Sequence, residues 1–433
     1  MEKRGKVVIM LDHIEKIMSG GKCACGKTHG MATGTAVVGE SAADSLAQYI
    51  CGRKFSRLLI VCDTNTEKYV HILTSAVGNA DVITLPGNSH ADEKGVAPLI
   101  DRLDGKSYDC LIACGSGSLH DITRYSANEK GIPFISFPTA ASVDGFVSTV
   151  AAMTWGGQKL SSPAAAPVAV FADPKVFGDA PDRLTASGVG DLLGKYTALL
   201  DWRIARILTG EEICPEIYGL MEKALARLGG LLEDISAGRL DVRSEKYTTL
   251  VMECLILAGL SMQLQGNSRP ASGSEHHLSH FWEMHLINEP TGALHGEQVG
   301  VAALLLTKYY HSMSGYDLMR PVDLAATFDR SYLEPVYGSL TDGILRENLT
   351  NGDVRTSSLA FSVDAEKAEK VRAEIDSLIS PEALCRLLKL GGAPTTLSEL
   401  DLPEDDAFIS RTLAFAPYVR KRLTLLKVLS AKR

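Results

Sequence analysis

Short apolar runs alternate with amphipathic segments over the first 173 residues of the chain. The apolar runs have the length of buried strands, and the segments between them repeat their apolar residues at helical spacing. The runs that predict strands are residues 35–39, 57–62, 81–85, 108–114, 133–138 and 167–173. Strands that alternate with helices at this spacing predict an α/β fold with a doubly wound, mostly parallel sheet.

The pattern changes after residue 153. A turn signal at residues 155–159 predicts a β-hairpin that returns to the sheet, and beyond residue 181 strand patterns almost vanish in favour of helical periodicity. The predicted helices cover residues 184–208, 215–235, 244–265, 296–312, 365–379, 381–390 and 405–429. We expect Pro417 to kink or interrupt the last of them. The chain therefore divides into an α/β domain over residues 1–180 and an all-helical domain over residues 181–433.

Composition and charge exclude several classes of protein. A chain of 433 residues with 45% hydrophobic residues can bury a large core. Its net charge of −8 argues against a nucleic-acid-binding protein. No apolar run reaches the roughly 18 residues that a spanning helix needs, and the first one, residues 7–11, is too short for a signal peptide. We expect a cytoplasmic protein without a membrane span, and a homo-oligomer.

The nine cysteines also suit a reducing compartment, because their number is odd and they are scattered through apolar stretches. Cys23, Cys25 and His29 together have the composition of half a metal site. No convincing second half lies near them in the sequence, so the pattern favours a surface loop over a zinc knuckle.

Three loops follow the carboxyl ends of predicted strands, where ligands of such sheets bind. Residues 115–121 break from a buried strand into glycine and serine before a helix, so their amide groups can meet a phosphate, although an ordinary strand-to-helix turn has the same pattern. Residues 139–144 combine small side chains with the carboxylate of Asp144. Asp63 can accept hydrogen bonds from an adenosine ribose, or can cap its own turn.

A different chemistry is indicated in the helical half. Asp191 lies between glycines and an apolar helix face, where a buried carboxylate needs a partner, either a metal ion or Lys195 one turn later. Four of the eleven histidines fall within residues 276–285, and His295 begins a further predicted helix. One carboxylate with two imidazoles can hold a divalent ion and leave positions for substrate. Spacing alone does not choose between His276, His277 and His280, and polar core packing is the alternative.

Taken together, five motifs resemble those of glycerol-1-phosphate dehydrogenases. They are residues 115–121 with Arg124, residues 138–145, residues 190–191, residues 274–276 and residues 294–296. The resemblance is strongest to the bacterial branch of this family, within the superfamily of iron-type alcohol dehydrogenases and dehydroquinate synthases. It covers roughly residues 30 to 310 and implies a dinucleotide-binding α/β domain, a metal- and substrate-binding helical domain, and an active site in the cleft between them.

The resemblance also implies roles for individual residues. Asp191, His276 and His295 match the metal ligands and carry the catalysis, with zinc or nickel as the metal. Asp144 and His280, together with Asp191, match positions that contact the substrate, while Lys159 is only a guess for its phosphate. The positions that would hold NAD(H) or NADP(H) are Asp63, Gly115, Gly117, Ser118, Asp121, Thr139, Ser142 and Ser148.

The implied reaction is the reduction of dihydroxyacetone phosphate to sn-glycerol 1-phosphate by NAD(P)H, a step of phospholipid metabolism. The metal acts as a Lewis acid on the carbonyl oxygen. Dehydroquinate synthases have a glutamate where Asp191 stands, so the aspartate favours the dehydrogenase branch. Iron-type alcohol dehydrogenases usually have a third histidine ligand, and His280 could take that role here. The alternative is therefore a polyol dehydrogenase of glycerol type that acts on an unphosphorylated substrate.

Overall fold

The computed structural model describes residues 23–284, 287–313, 315, 317–319, 328–349 and 363–430. The described residues form two compact units. Unit 1 contains those of Met1–Gly188 together with Ala226–Asn267, and unit 2 contains those of Val189–Leu225 and Ser268–Arg433. Helix Pro215–Ser236 therefore begins in one unit and ends in the other.

Unit 1 is built on a six-stranded sheet in which every neighbouring pair is parallel. The order of strands is β1-β8-β5-β4-β2-β3. The strands of this sheet are β1 (Thr35–Val38), β2 (Leu58–Asp63), β3 (Asp81–Leu85), β4 (Cys110–Gly115), β5 (Phe134–Pro138) and β8 (Ala169–Ala172). The sequence prediction of a mostly parallel sheet is confirmed.

Both faces of this sheet are covered, which explains why its central strands are continuously apolar. In β2, Leu58 and Ile60 pack into one hydrophobic cluster, whereas Leu59 and Val61 pack into another on the opposite face. The connecting helices are α1 (Ala42–Arg53), α2 (Val70–Val77), α3 (Glu93–Gly105), α4 (Gly117–Lys130) and α5 (Pro174–Phe177). Strands β6 (Val150–Trp155) and β7 (Gln158–Pro163) form the predicted hairpin, which is a separate antiparallel sheet, and β8 is the strand that rejoins the main sheet.

The described chain beyond residue 180 is helical, as predicted. Its helices are α6 (Asp182–Leu193), α7 (Lys195–Thr209), α8 (Pro215–Ser236), α9 (Glu245–Gln265), α10 (Ser274–Trp282), α11 (His295–Ser312), α12 (Arg330–Tyr337), α13 (Thr341–Asn348), α14 (Ala365–Asp376), α15 (Pro381–Leu390), α16 (Asp406–Phe415) and α17 (Leu425–Ser430). The single helix predicted over residues 184–208 is two helices that meet at Gly194. Pro417 lies in a 3₁₀ turn, Ala416–Val419, that ends the helical run begun by α16.

Helix α9 has the length and apolar composition of a membrane span, and it is the one such helix in the described ranges. Its most apolar window is 78% buried inside the protein. Burial of this kind is what a core helix of a folded domain shows, so length and composition alone do not assign α9 to a membrane.

Two helices of unit 2 approach each other to backbone contact. A Cβ atom added to Gly190 in α6 would lie 2.3 Å from the carbonyl oxygen of Gly296 in α11, and one added to Gly300 would lie 3.0 Å from the Cα of Gly190. One turn after Gly190, a Cβ on Gly194 would lie 2.5 Å from a methyl group of Val299. Only residues without a side chain fit at this crossing, which fixes Asp191 beside the start of α11.

Replacing Gly190 with alanine tests this contact. The new methyl group meets a backbone oxygen that cannot rotate away, so we expect the free energy of unfolding to fall by about 1–3 kcal/mol, as in overpacked cores. Gly219 in α8 is the matched control, because a Cβ there meets nothing within 4 Å. Gly219→Ala should raise stability by about 0.5–1 kcal/mol through better helix propensity. Urea unfolding of both variants measures the difference, and equal effects would contradict the close approach.

Candidate active site

Asp191, His276 and His295 come together in unit 2. They lie on three different helices, α6, α10 and α11, and their ligand atoms are all within 4.8 Å of one another. Asp191 is fully buried, His276 is buried and His295 is partly exposed. Two imidazoles and one carboxylate on one side of a site suit a divalent transition metal that keeps open positions for a substrate.

Carboxylates behind both histidines fix the orientation of the rings. His276 Nδ1 donates to Glu275 Oε1 at 2.8 Å, and His295 Nδ1 donates to Glu283 Oε1 at the same distance. A carboxylate only accepts hydrogen bonds, so the Nδ1 atoms carry the protons and the Nε2 atoms keep their lone pairs. His276 Nε2 lies 3.8 Å from Asp191 Oδ1. This is the outer-shell arrangement of metal-bound histidines, and the donor set therefore fits a divalent ion.

Lys195 is a direct partner of Asp191. Its Nζ lies 2.6 Å from Asp191 Oδ1, and neither side chain has any exposed surface. Burial works to raise the pKa of Asp191, but the positive charge of Lys195, whose Nζ lies 2.6 Å away, outweighs it and holds that pKa below its usual range. Asp191 is thus ionised at neutral pH. Of the two alternatives that the sequence left open, the structure shows the salt bridge, whereas the metal-ligand role of Asp191 stays a prediction.

A second layer of buried carboxylates anchors the start of α10. Glu275 accepts hydrogen bonds from the Gly273 amide at 2.6 Å and from the Thr197 hydroxyl at 2.7 Å. Asp201 accepts from the amides of Ser274 and Leu425 at 2.6 and 2.7 Å. Burial, reinforced by the nearby charge of Glu275, raises the pKa of Asp201 to about 7.

These supporting carboxylates were not predicted from the sequence. The available signal was weak: Asp201 interrupts an otherwise apolar face of α7, and Glu275 directly precedes a candidate ligand. A buried acid needs a partner, but the sequence does not show which backbone amides or imidazoles supply it.

The other histidines of the cluster have different surroundings. His280 Nδ1 accepts a hydrogen bond from Arg420 Nη2 at 3.2 Å, and its ring centroid lies 5.6 Å from that of His295. His280 is not part of the close group of ligand atoms. His277 is buried, and neither of its ring nitrogens has a hydrogen-bond partner. Of the three candidates, it is His276 that the structure places beside Asp191 and His295. His285 lies outside the described residues.

In unit 1, two of the predicted ligand loops are neighbours. Gly115 in β4 pairs with Pro138 in β5, and its carbonyl accepts from the Thr139 amide at 3.0 Å. A Cβ on Gly115 would lie 2.3 Å from a methyl group of Leu119, and one on Gly117 would lie 3.1 Å from Val143. Gly117 begins α4, so Gly117 and Ser118 supply the first amides of that helix. Helix N-termini of this kind bind phosphate, and Ser142 lies in the adjoining loop.

Three predicted ligand residues make contacts within their own loops. Asp63 Oδ1 accepts from the amides of Asn65 and Thr66, both at 2.9 Å, as the turn-capping alternative requires. Asp121 lies 3.1 Å from the guanidinium of Arg124. Ser148 exchanges hydrogen bonds with the backbone of Val150. That these three residues also bind a dinucleotide stays a prediction.

Arg124 is a structural residue that links these loops. It is buried in α4 and donates to the carbonyl oxygens of Gly145, Phe146 and Val150. Asp144 begins the 3₁₀ turn that these bonds hold, and it is itself buried. The turn that carries Asp144 is therefore tied to α4, the helix that begins in the glycine loop of residues 115–121.

Comparisons with known proteins agree with this fold and these motifs. The family model described as iron-containing alcohol dehydrogenase matches residues 37–181. A glycerol-1-phosphate dehydrogenase (NAD(P)+) of Bacillus licheniformis is 33% identical over 431 residues, which cover 97% of this chain and 94% of that protein. A protein of the same name from Bacillus subtilis is 38% identical over 291 residues, covering 65% of this chain and 72% of the relative.

The chain belongs to the glycerol-1-phosphate dehydrogenase family. The resemblance stated from the five motifs is thus confirmed. Among solved structures, an iron-containing alcohol dehydrogenase from Thermococcus thioreducens superposes with a TM-score of 0.57 at 16% identity, covering 94% of this chain and all of that one. At this identity the likeness concerns the fold alone. It supports the prediction of an α/β region with a parallel sheet followed by a helical region.

His120 gives this family member a pH-dependent contribution to stability. It is buried below the glycine loop, with Nδ1 at 3.0 Å from the Ser116 carbonyl and Nε2 at 2.8 Å from the Ser136 hydroxyl. Burial lowers the pKa of His120 to about 3. Below its ordinary pKa of about 6.5 the unfolded chain binds a proton that the folded chain refuses, so His120 makes stability fall as pH decreases through this window.

We expect His120→Gln to reduce this pH dependence. From about pH 7 to pH 5 the His120 contribution falls by up to about 1.4 kcal/mol per pH unit once the unfolded residue is protonated. Urea midpoints of wild type and variant, measured across this range, should therefore converge toward low pH. His71, whose ring is exposed on α2, is the control, and His71→Gln should run parallel to wild type. A constant difference between wild type and His120→Gln would contradict the buried neutral imidazole.

Proposed function

We propose that this protein is a metal-dependent, NAD(P)-dependent oxidoreductase that reduces dihydroxyacetone phosphate to sn-glycerol 1-phosphate. The observation that favours a phosphorylated substrate is the position of Arg420. Its guanidinium donates to His280, which lies beside the group formed by Asp191, His276 and His295. A partly buried cation next to a candidate metal-ligand set suits a small ketone that carries a phosphate.

Under this proposal, Asp191, His276 and His295 would hold a divalent ion, zinc or nickel. The ion would supply Lewis-acid polarisation of the substrate carbonyl. Glu275 and Glu283 fix the two rings through their Nδ1 atoms, which leaves both Nε2 lone pairs available, and Lys195 keeps the buried carboxylate ionised.

The dinucleotide belongs to unit 1 in this proposal. Gly115, Gly117 and Ser118 would receive the pyrophosphate on the amides at the start of α4, and Thr139 with Ser142 would line the adjoining loop. Asp121 and Ser148 would complete the site. Asp63 would contact the adenosine ribose while its Oδ1 continues to accept from its own turn; an acidic residue here favours NAD without excluding NADP.

We propose that the phosphate binds among four cations of unit 2. Arg269 and Lys427 are buried, and Arg420 and Arg422 are partly buried. Arg269 is bound by both carboxylate oxygens of Glu211, at 2.6 and 2.5 Å. Burial together with mutual repulsion lowers the pKa of Arg422 to about 9 and that of Lys427 to about 7. An anion bound among them would relieve this repulsion, because each cation would regain a favourable charge partner.

His277 points to the same position. Burial and the charges of Lys427, Arg422 and Arg420 lower its pKa, so the ring is neutral. A neutral imidazole carries one N–H donor, and here that donor meets no acceptor. A buried donor without an acceptor is costly unless a ligand provides one, and a phosphate oxygen would do so.

His280 can then act on the substrate rather than on the metal. Its Nδ1 accepts from Arg420, which assigns the proton of the neutral ring to Nε2. Burial, followed by the charge of Arg420, holds the pKa of His280 well below its usual range. We infer that Nε2–H donates a hydrogen bond to a substrate oxygen. This tautomer offers no lone pair at Nε2, which disfavours His280 as the third histidine ligand of a polyol dehydrogenase.

The proposal also assigns the enzyme to the cytoplasm and its product to phospholipid metabolism. The location is supported by the nine cysteines, all of which lie in the described part of the chain as thiols. A homo-oligomer stays an expectation from the sequence.

A substrate panel tests the function directly. The protein is stripped of metal, reloaded separately with zinc and nickel, and assayed for NADH and NADPH oxidation with dihydroxyacetone phosphate and with dihydroxyacetone. We expect activity to require the metal and kcat/KM to favour the phosphorylated ketone by at least about a hundredfold, since phosphate contacts contribute several kcal/mol. Equal activity with both ketones would support the polyol dehydrogenase instead.

Arg420→Met tests the phosphate position. Loss of a buried charged hydrogen bond costs about 1.5–3 kcal/mol, so kcat/KM for dihydroxyacetone phosphate should fall by about 10- to 150-fold. The residual rate with unphosphorylated dihydroxyacetone should change much less. Arg239→Met is the matched control, because Arg239 is an exposed arginine paired with Asp234. If both ketones lose activity equally, Arg420 acts through folding or through His280 and not on the phosphate.

A further inference from the structure

The strongest feature of unit 1 that the proposed function does not use is the loop formed by residues 23–29. Cys23, Cys25 and His29 are half-buried, and their ligand atoms lie within 4.8 Å of one another. The two cysteines are thiols. We propose that this loop is a second metal site of the protein and that it binds a thiophilic divalent ion such as zinc. It is distinct from the Asp191 group, which consists of Asp191, His276 and His295.

The backbone of the loop is a closed turn. The Cys23 amide donates to the Lys27 carbonyl and the Gly26 amide donates to the Cys23 carbonyl, both at 2.8 Å. Gly26 has a φ of +82°, a left-handed conformation that residues with a side chain rarely adopt. The turn therefore brings two cysteines that are only one residue apart toward His29.

His29 has the tautomer of a metal ligand. Its Nδ1 lies 2.8 Å from the backbone carbonyl oxygen of Leu264, at the end of α9. A carbonyl oxygen can only accept, so Nδ1 carries the proton and Nε2 keeps its lone pair. Metal-bound histidines are oriented in the same way, with the second nitrogen donating to a carbonyl or a carboxylate.

The separation of the donors also fits one ion. His29 Nε2 lies 3.3 Å from Cys25 Sγ. Bonds of about 2.0–2.1 Å to nitrogen and about 2.3 Å to sulfur, at a tetrahedral angle, place the two donors about 3.5 Å apart. The observed distance needs only a small adjustment. The loop itself thus supplies three of the four ligands of a tetrahedral site.

The end of α9, which accepts the hydrogen bond from His29, also binds the chain that follows the loop. The Gln263 side chain, next to Leu264, accepts from the amides of Ala32 and Thr33 at 2.9 and 3.2 Å. The segment that follows the loop is therefore fixed to the end of α9, and His29 is positioned before any ion binds. Two thiolates and one imidazole favour zinc over magnesium or calcium, which take oxygen ligands.

Cobalt substitution tests this proposal. Co²⁺ is added under reductant to metal-stripped His295→Ala protein, a background intended to empty the Asp191 group, and the bound metal is counted by elemental analysis. We expect one equivalent per chain and a near-ultraviolet thiolate-to-cobalt charge-transfer band. That band identifies this loop, because the Asp191 group has no sulfur ligand. The same background with Cys23→Ser and Cys25→Ser should lose both the band and the equivalent.

His29→Ala keeps both thiols and should weaken cobalt binding by at least about tenfold, which separates loss of a ligand from loss of the loop. Cys51→Ser, an exposed cysteine of α1, is the matched control and should bind cobalt normally. Serine replacement of the remaining cysteines, one at a time, reports any further thiolate. No charge-transfer band in the background protein, or an unchanged band after Cys23 and Cys25 are replaced, overturns the proposal. A Cys23–Cys25 disulfide that persists under reductant overturns it as well.

The outcome is independent of the proposed function. If the Asp191 group binds no metal, protein with an intact His295 should not bind a second equivalent of cobalt. That second equivalent is the one expected to give no charge-transfer band. Failure of the loop would appear as a missing band while dihydroxyacetone phosphate reduction persists.

Discussion

The candidate metal centre depends on the close crossing of α6 and α11. Gly190 meets the backbone of Gly296, and Gly300 meets the backbone of α6, so no side chain separates the two helices. Asp191 follows Gly190 and His295 precedes Gly296. The contact between these two glycines therefore brings the two candidate ligands close together. The glycines carry no chemistry, yet they set the distance between the carboxylate and the imidazole that are the candidate ligands of one ion.

Buried charge is the second organising feature of unit 2. Asp191, Lys195, Glu275 and Asp201 have almost no exposed surface. Each would be costly alone, and each is held by a partner or by backbone amides. The effect is positional: the start of α10 is fixed by amides that donate to Asp201 and Glu275, and the rings of His276 and His295 are fixed by carboxylates. A network of this kind specifies one geometry more strictly than apolar packing does.

Much of the fold could be predicted because the central strands are buried on both faces. Their runs of apolar residues stand out against amphipathic helices, and the parallel order follows from the alternation. The break at Gly194 could not be predicted, because helical periodicity continues through it from α6 into α7. The candidate metal ligands could be predicted from local motifs. Arg420 was not predicted, since its partner His280 is 140 residues away along the chain. Glu283, 12 residues before His295, was not predicted either, because spacing alone does not show that the two side chains meet. Only the fold shows which distant charges meet.

The contact between His29 and Leu264 has a consequence for how the chain folds. It joins residues that are 235 positions apart. Closing so long a loop lowers the conformational entropy of the chain, and this loss is offset only after much of the intervening chain has ordered. The acceptor at the end of α9 must exist before His29 acquires its fixed tautomer. We therefore expect the loop of residues 23–29 to order late in folding, so that protection of its amides from hydrogen exchange would report completion of unit 1 and not its nucleation.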